Sequence, residues 1–274
     1  MIRMEDVTVR FGDREALDGL TFTVPAGRIV GLLGPNGAGK TTTIRCLSGL
    51  LRPARGRVLL DDVDLATDPT AARARVGLVP QSLALYPDLS VWQNLRVFAG
   101  ALGLGRKGGP AACRRALLTS GLTDRRDERV RCLSGGMQRR LNLACALLHD
   151  PPVVLCDEPA VGVDATSRRT IFDELKRLRD RGKSILYTTH HLEEAETLCD
   201  TILIVTHGRV VAEGTSEALR RTHAPPSGRL RLEVDPGVQP EAVHTALTAA
   251  GIAVRALRSD GPNLEEVYLQ LTAP

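Results

Sequence analysis

A glycine-rich loop near the start of the chain has the residue types and spacing of a phosphate-binding loop. The stretch GPNGAGKT fits the pattern G-x-x-x-x-G-K-[ST], and its residues are Gly34, Pro35, Asn36, Gly37, Ala38, Gly39, Lys40 and Thr41. Glycines allow backbone N–H groups to converge on phosphate oxygens, and the lysine neutralises the β- and γ-phosphates. The hydroxyl of Thr41 is suited to Mg²⁺, and Thr42 adds a further phosphate contact. The apolar run RIVGLL precedes the loop and the helical pattern TTTIRCL follows it, so the loop is predicted to bind a nucleoside triphosphate.

Two adjacent carboxylates end an apolar strand further along the chain. The run VVLC at 153–156 is followed at once by Asp157 and Glu158. Carboxylates at the end of a buried strand are costly unless a cation or a function meets them. With a phosphate-binding loop in the same chain, Asp157 is predicted to hold Mg²⁺, directly or through water. Glu158 is predicted to polarise the water that attacks the γ-phosphate.

Two other strand patterns also end in polar residues. Gln81 follows VGLVP, and His190 follows SILYTT. Because parallel strands deliver their carboxyl ends to one edge of a sheet, His190 is predicted to bond a phosphate oxygen. Gln81 is predicted to touch Mg²⁺ or its water. The residues alone leave alternatives open, namely an ordinary polar loop residue at 81 and a surface histidine pair at 190 and 191. Of the pair, His190 is the expected functional residue because it comes directly after the strand.

A second helix start with anion-binding character lies downstream of the glycine-rich loop. The stretch LSGGM comprises Leu133, Ser134, Gly135, Gly136 and Met137. Serine is a favoured N-cap, and a helix start presents unpaired N–H groups to an anion. The glycine-rich loop already covers one face of a triphosphate, so this second site is expected to serve a different nucleotide contact.

Alternating strand and helix patterns position these residues. Strands are predicted at 7–11, 20–24, 29–33, 58–60, 76–80, 153–156, 184–188 and 201–205. Helices are predicted at 41–48, 91–102, 110–120, 135–149, 167–180 and 192–198. Ser90 and Gln93 form a predicted capping box at the second helix. The alternation implies a parallel α/β core with an inserted, mostly helical lobe at about 82–150.

The stretch HAPPSG at 223–228 predicts a linker between two domains. The predicted main domain is therefore 1–222, and 229–274 form a small α+β appendage. Its predicted elements are a strand at 230–234, a helix at 241–250, a strand at 253–257 and a helix at 264–271.

Charge, hydropathy and cysteine usage exclude several classes of protein. The net charge is +4, and cations are scattered among acids, so no nucleic-acid partner is predicted. No apolar run approaches the roughly 18–20 residues that cross a bilayer. The start of the chain, MIRMEDVTVR, lacks the apolar segment of a secretory signal. The six cysteines form no CxxC pair and are predicted to be reduced, mostly buried thiols of a cytosolic protein.

In order and spacing, these motifs resemble those of ATP-binding subunits of ABC transporters. The phosphate-binding loop (P-loop), Gln81, LSGGM, VVLCDEP, Asp164 and His190 carry the resemblance, which covers nearly the whole chain before the linker. It implies a P-loop NTPase core of ABC ATPase type with an antiparallel β subdomain, the inserted helical subdomain and the small C-terminal α+β appendage. It further implies that Ser134 and the glycines after it bind nucleotide, that Asp164 belongs to the loop linking two sites, and that His190 is the switch histidine. Phe11 falls where the family places an aromatic ring against adenine.

The chain also resembles the drug-exporter (ABC-2) type of these subunits, as seen in YPDLSVWQNL, SGGMQRRLNLACALLHDP, VGVDATSRR and the tail LEEVYLQLT. Four positions depart from residues common in the family: Gln93, Cys145, Ala160 and Ala165. None of them removes a phosphate-binding or metal-binding group. They are expected to alter docking of the helical lobe and the catalytic rate rather than nucleotide binding.

The resemblance implies an ATPase that uses ATP and Mg²⁺ and pairs head to tail with a second ATPase subunit, either a copy or a paralogue, around two ATPs. The subunit is expected to sit in the cytoplasm on the inner face of the cell membrane. There it would power a separate integral membrane permease that exports a drug-like or lipophilic compound. The alternative is a soluble ABC ATPase acting in repair, translation or iron–sulfur assembly. Repair types need a long coiled-coil insertion and translation types usually carry two cassettes, whereas this sequence has neither feature, and its tail disfavours the assembly type.

Overall fold

The structure, a computed structural model, describes residues 1–223 and 240–251. Ten strands occur in the described residues: β1 (Ile2–Phe11), β2 (Arg14–Val24), β3 (Arg28–Leu33), β4 (Arg55–Leu60), β5 (Val63–Asp64), β6 (Val76–Val79), β7 (Val153–Asp157), β8 (Ser184–Thr189), β9 (Thr201–Thr206) and β10 (Arg209–Gly214). They form a four-stranded sheet of order β2-β1-β4-β5 and a six-stranded sheet of order β10-β9-β3-β8-β7-β6.

The two sheets differ in strand direction. The four-stranded sheet is antiparallel throughout. In the six-stranded sheet β6, β7, β8, β3 and β9 run parallel, and β10 pairs antiparallel to β9. The carboxyl ends of β3, β6, β7 and β8 therefore lie at one edge, as expected for a parallel α/β core.

The described residues also form α-helices. They are α1 (Lys40–Leu47), α2 (Pro69–Ala74), α3 (Val91–Ala101), α4 (Gly105–Thr119), α5 (Gly135–Ala146), α6 (Ala165–Asp180), α7 (Leu192–Leu198), α8 (Ser216–His223) and α9 (Pro240–Ala249). Two short 3₁₀ turns lie at Thr123–Arg125 and Val130–Cys132.

Burial on both faces explains why the central strands are apolar throughout. Every residue of β7 and β8 is buried. On one face Leu155 joins the core formed with α1 and the antiparallel sheet. On the other face Val154 and Tyr187 pack with Phe172 of α6. A parallel sheet covered on both sides has near-continuous apolar strands, which is the pattern that the sequence displays.

The helical lobe has a core of its own, built by α3, α4 and α5 around Leu95, Leu117 and Leu141. The predicted capping box is present, because Ser90 Oγ accepts from Gln93 N and Gln93 Oε1 accepts from Ser90 N. The predicted α/β fold with an antiparallel subdomain and an inserted helical subdomain is confirmed.

Several elements differ from the sequence prediction. Helix α4 starts at Gly105 rather than at Pro110, which lies inside it. Proline favours the first turn of a helix, so its position inside α4 differs from the usual one. Gly109, in the turn before Pro110, is buried, and a Cβ added to it would lie 3.8 Å from the Cβ of Ala99 on α3. The short elements β5, α2, β10 and α8 were not predicted.

The cysteines are free, and four of the six are buried, as predicted; Cys132 is exposed and Cys199 is half-buried. The chain divides by its contacts into two compact units, Met1–Ser216 and Glu217–Pro274.

In the second unit, α9 matches the predicted helix at 241–250 to within one residue, and Gly251 follows it with a φ of 79°. The other predicted elements of the appendage, and all of the predicted linker except His223, lie outside the described residues, so the domain boundaries stay predictions. No helix within 1–223 or 240–251 is long and apolar enough to cross a membrane.

Candidate functional site

The P-loop joins the end of β3 to the start of α1. Gly39 is the N-cap of α1 with a φ of 107°, a left-handed conformation that glycine adopts without steric cost. The side chain of Lys40 is 6% exposed, and its Nζ donates to the carbonyls of Gly34 at 2.7 Å and Pro35 at 3.2 Å. Burial lowers the pKa of Lys40, and the attraction of Glu158 opposes that shift. The lysine is thus held over the loop by the loop's own backbone.

Asp157 ends β7 next to the P-loop and is buried. Its Oδ1 accepts a hydrogen bond of 2.7 Å from Thr188 Oγ1, and the Thr41 hydroxyl bonds the same carboxylate. Burial raises the pKa of Asp157, and the hydroxyl bonds from Thr188 and Thr41 partly offset the shift. A buried carboxylate beside a P-loop hydroxyl offers the hard oxygen ligands that Mg²⁺ prefers. The donor set therefore fits this ion.

Glu158 lies at the centre of the group of polar side chains at the carboxyl ends of β3, β6, β7 and β8. Its backbone is left-handed with a φ of 46°, and its N–H lies 3.2 Å from Thr188 O and 3.1 Å from Thr188 Oγ1. A non-glycine residue in this conformation is uncommon and often marks a functional position. The unusual backbone is thus anchored to the neighbouring strand β8.

Three side chains surround the Glu158 carboxylate. Oε1 lies 3.1 Å from His190 Nδ1 and 3.7 Å from Lys40 Nζ, and Oε2 accepts from Gln81 Nε2 at 3.3 Å. The structure thus brings together residues that the sequence places on four different strand ends. His191 caps α7, with its ring centroid 4.1 Å from that of His190, and it does not share the contact with Glu158.

A cleft of about 330 Å³ opens above these groups. The side chain of Phe11, 50% exposed, lies at the end of β1 on one wall. The remaining lining residues are Arg14, Ala16, Asn36, Gly37, Gly39, Lys40, Thr41, Thr42, Gln81 and Glu158. A larger hollow of about 460 Å³ lies between α3 and α4, but its lining contains none of the predicted site residues, so the chemistry favours the smaller cleft.

The LSGGM segment forms a separate cluster with Asp164. Ser134 is the N-cap of α5, and its Oγ accepts from Met137 N at 3.3 Å. Asp164 is the N-cap of α6 and accepts from Ser167 N at 2.9 Å and from Ser167 Oγ at 2.8 Å; these hydrogen bonds lower the pKa of Asp164. Gly136 lies against this cap, because a Cβ added to it would be 1.9 Å from Ser167 Oγ. Ser134 and Gly135 are exposed, and the described lining of the cleft includes neither.

Comparison with known proteins gives the family. Residues 17–161 match the ABC transporter family. Over 218 residues, covering 80% of this chain and 72% of the relative, the sequence is 45% identical to the Nod factor export ATP-binding protein I of Burkholderia lata. It is 32% identical over 305 residues to the linearmycin resistance ATP-binding protein of Bacillus subtilis, covering 99% of this chain and 98% of the relative.

Solved structures agree with the sequence relatives. The structure of an ATP-binding subunit of an ABC transporter matches with a TM-score of 0.77 and 29% identity, covering 99% of both chains. A dimeric ATP-binding cassette in a post-hydrolysis state, bound to ADP and Pi, matches with a TM-score of 0.70 and 26% identity, covering 78% of this chain and 98% of that one.

The chain belongs to the ABC transporter family. It is an ATP-binding subunit that hydrolyses ATP, and subunits of this family dimerise and work with membrane permease components. The residues predicted to bind and hydrolyse ATP lie at the shared edge of β3, β6, β7 and β8.

Two groups at the candidate site are absent from the residues predicted from the sequence, namely Thr188 and Arg14. Thr188 contacts both Asp157 and the Glu158 backbone, and its signal is a hydroxyl at the end of an apolar strand beside a carboxylate pair. Arg14 lines the cleft and donates to Gly37 O at 3.4 Å. It lies on the hairpin after Phe11, where the sequence gives no spacing rule that links it to the P-loop.

Proposed function

We propose that this ABC subunit binds the triphosphate of ATP along the P-loop and places adenine against Phe11. The observation that carries the proposal is the Glu158 carboxylate, surrounded by Gln81, His190 and Lys40 at the edge of a cleft that the P-loop lines. Lys40 balances β- and γ-phosphate charge, and the P-loop N–H groups cradle the phosphates. The exposed ring face of Phe11 suffices for stacking, because stacking does not need the hydroxyl of a tyrosine.

Thr41, Asp157 and Gln81 are the proposed residues for Mg²⁺. An ion held by these residues would supply positive charge that offsets the negative charge of the phosphates. The buried Asp157 carboxylate supports this assignment, since its raised pKa reflects a negative charge that burial disfavours and a cation would favour. Gln81 adds a neutral amide at the junction of β6 with the helical lobe.

Glu158 is the proposed general base. It takes a proton from the water that attacks the γ-phosphate, while Gln81 and His190 orient its two carboxylate oxygens. With ATP bound, His190 would also hydrogen-bond a γ-phosphate oxygen. The hydrogen bonds from Thr188 to the Glu158 backbone hold the base in its left-handed conformation.

The LSGGM segment is proposed to bind the ATP held by a second subunit. Its exposed Ser134 and Gly135 lie at a helix start outside the described lining of the cleft in their own chain, which favours a ligand from outside. The contact of Gly136 with the cap at Ser167 and Asp164 ties this helix start to the loop proposed to link the two sites. The second subunit is a copy of this chain or a paralogue.

The proposed assembly drives a separate integral membrane permease from the cytoplasmic face of the cell membrane, without a nucleic-acid partner. Two relatives carry names for Nod factor export and linearmycin resistance, which supports export of a drug-like or lipophilic compound. Hydrolysis removes the nucleotide contact between subunits, and the helical lobe passes the resulting motion to the permease.

Replacing Glu158 with glutamine tests the catalytic assignment. The change keeps size and hydrogen-bonding reach but removes the base, so ATP hydrolysis should fall about 10²–10⁴-fold. ATP binding should persist, and an ATP-bound dimer should accumulate in size-exclusion chromatography. The exposed Glu193→Gln on α7 serves as the control and should retain activity. Near-normal turnover in Glu158→Gln would refute the assignment.

Mixing two inactive variants tests the shared site. Lys40→Ala breaks the P-loop half of every site, and Ser134→Arg breaks the LSGGM half. If sites form between subunits, the mixed dimer has one site with both halves intact. If each chain used its own Ser134, both sites would stay broken. Loss of a preorganised donor costs about 10²–10³ in rate, so recovered ATPase activity should exceed that of either variant alone. Mixed dimers that recover neither hydrolysis nor nucleotide capture would exclude the shared site.

A further inference from the structure

The LSGGM helix α5 holds the loop that contains Gln81 through two side chains. Arg139 donates a guanidinium hydrogen bond to the carbonyl of Gln81. Three residues on, Asn142 accepts from the backbone N–H of Ala84 at 3.2 Å through its Oδ1. Residues three apart lie on one face of a helix, so one face of α5 holds this loop through two hydrogen bonds, one from Arg139 and one to Asn142.

Arg139 also reaches a second loop. Its other terminal nitrogen donates to the carbonyl of Val161 at 3.3 Å. The two anchored carbonyls lie on segments that meet at Glu158: the Gln81 side chain donates to Glu158 Oε2 at 3.3 Å, and Val161 N donates to the Glu158 carbonyl at 3.3 Å. A single guanidinium therefore connects the LSGGM helix with two of the segments that touch the proposed base.

The chemistry of this contact favours a geometric role over a charge–charge role. Burial lowers the pKa of Arg139. In the described part of the chain its hydrogen bonds go to two backbone carbonyls, and none of the ion pairs found there includes it. A desolvated cation without a carboxylate is costly, whereas the rigid fork of arginine bonds two acceptors at fixed separation.

We infer that Arg139 is a positioning residue of the ATPase reaction. It sets Gln81 and the loop after Glu158 relative to the LSGGM helix, so that the side chains at Glu158 align only when the helical lobe is correctly seated. The inference rests on the proposed roles of Glu158 and Gln81. It concerns rate rather than nucleotide affinity, because neither anchored carbonyl belongs to the P-loop.

Arg140 provides a matched comparison in the same helix. It is half-buried like Arg139, and it also donates to a backbone carbonyl, that of Ser120 at 2.7 Å. Ser120 is the C-cap of α4, so this contact stays inside the helical lobe. Loss of either arginine removes a guanidinium–carbonyl bond, but only the loss of Arg139 releases the two segments at Glu158.

A double-mutant cycle tests the inference in the full-length subunit. Arg139→Gln should lower kcat for ATP hydrolysis about tenfold or more, while the dissociation constant for ATP changes by less than about twofold. In a Gln81→Ala background much of that loss should disappear, because the Gln81 side chain, one of the two groups that Arg139 positions, is already gone. Arg140→Gln should combine additively with Gln81→Ala, whatever its own effect. Arg139→Lys should fall between wild type and Arg139→Gln, because one ammonium replaces a two-pronged donor.

Additive loss of kcat for Arg139→Gln and Gln81→Ala would overturn the inference, as would weaker ATP binding at unchanged kcat. If Arg139→Gln does not fold, as judged by thermal unfolding, Arg139→Lys takes its place in the same cycle. Failure of the proposed site is recognised separately, since Glu158→Gln would then retain turnover whatever the outcome of the cycle.

Discussion

Replacing Gly136 with alanine tests whether the second glycine of LSGGM is required by packing. A Cβ at this position would lie 1.9 Å from Ser167 Oγ, 2.6 Å from Ser167 Cβ and 3.1 Å from Asp164 Oδ2. The hydroxyl can rotate away, but only by giving up its 2.8 Å bond to Asp164. The Ser167 Cβ is fixed to the backbone of α6, so relief requires the starts of α5 and α6 to separate.

The expected change in the free energy of unfolding combines two losses and one gain. Overpacking costs about 1–3 kcal/mol, and weakening of the Asp164 cap costs about 0.5–2 kcal/mol. Alanine regains up to about 1 kcal/mol of helix propensity, so the net loss of stability is about 2 kcal/mol. At about 2–4 °C per kcal/mol for a domain of this size, the Tm should fall by roughly 4–8 °C.

Gly135→Ala is the matched control, because a Cβ added to the neighbouring glycine meets nothing within 4 Å. Thermal unfolding of both variants without nucleotide separates packing from ATP binding. Gly135→Ala should keep the wild-type Tm to within about 2 °C. A Gly136→Ala protein as stable as the control would refute the packing argument and leave nucleotide contact as the reason for glycine at this position.

Two other predictions follow from the contacts at the site. His190→Ala should lose far more ATPase activity than His191→Ala, because of the two rings the His190 ring contacts Glu158, at 3.1 Å. A greater loss in the His191 variant would show that the wrong histidine at the end of β8 has been assigned to the site. Asp157→Asn should raise the Tm of the nucleotide-free protein near neutral pH, because burial raises the pKa of Asp157 and disfavours its ionised form, while the bond from Thr188 is kept. The gain in Tm should shrink as the pH falls through the raised pKa of Asp157, because the wild-type carboxyl then takes up a proton and loses its charge. The Tm of both proteins measured against pH tests this trend. A gain in Tm that grows toward acid pH would contradict it.

The sequence alone predicts the candidate site residues and the core of the fold, and the structure confirms the core of the fold. The P-loop pattern, the carboxylate pair after an apolar strand and the LSGGM helix start are local, because each depends on a few adjacent residues and their flanking periodicity. Apolar runs separated by helical patterns predict a parallel sheet, and parallel strands must end at one edge. The strand pattern alone therefore predicts that Gln81, Glu158 and His190 lie at the same edge of the sheet. The short elements β5 and α2, by contrast, are too brief to give a periodic signal.

The tertiary structure decided the contacts that join distant segments. The left-handed backbone of Glu158, held by Thr188 from the adjacent strand, has no local signature, because the neighbouring strand supplies the hydrogen bonds. The link from Arg139 to Gln81 and Val161 depends on how the helical lobe packs against the sheet, which periodicity within one helix does not encode. Likewise, the close packing of Gly136 against Ser167 depends on the approach of α6, which the local sequence does not show. The local sequence pattern shows which residue types are present, whereas sheet order and helix packing determine which of those residues come into contact.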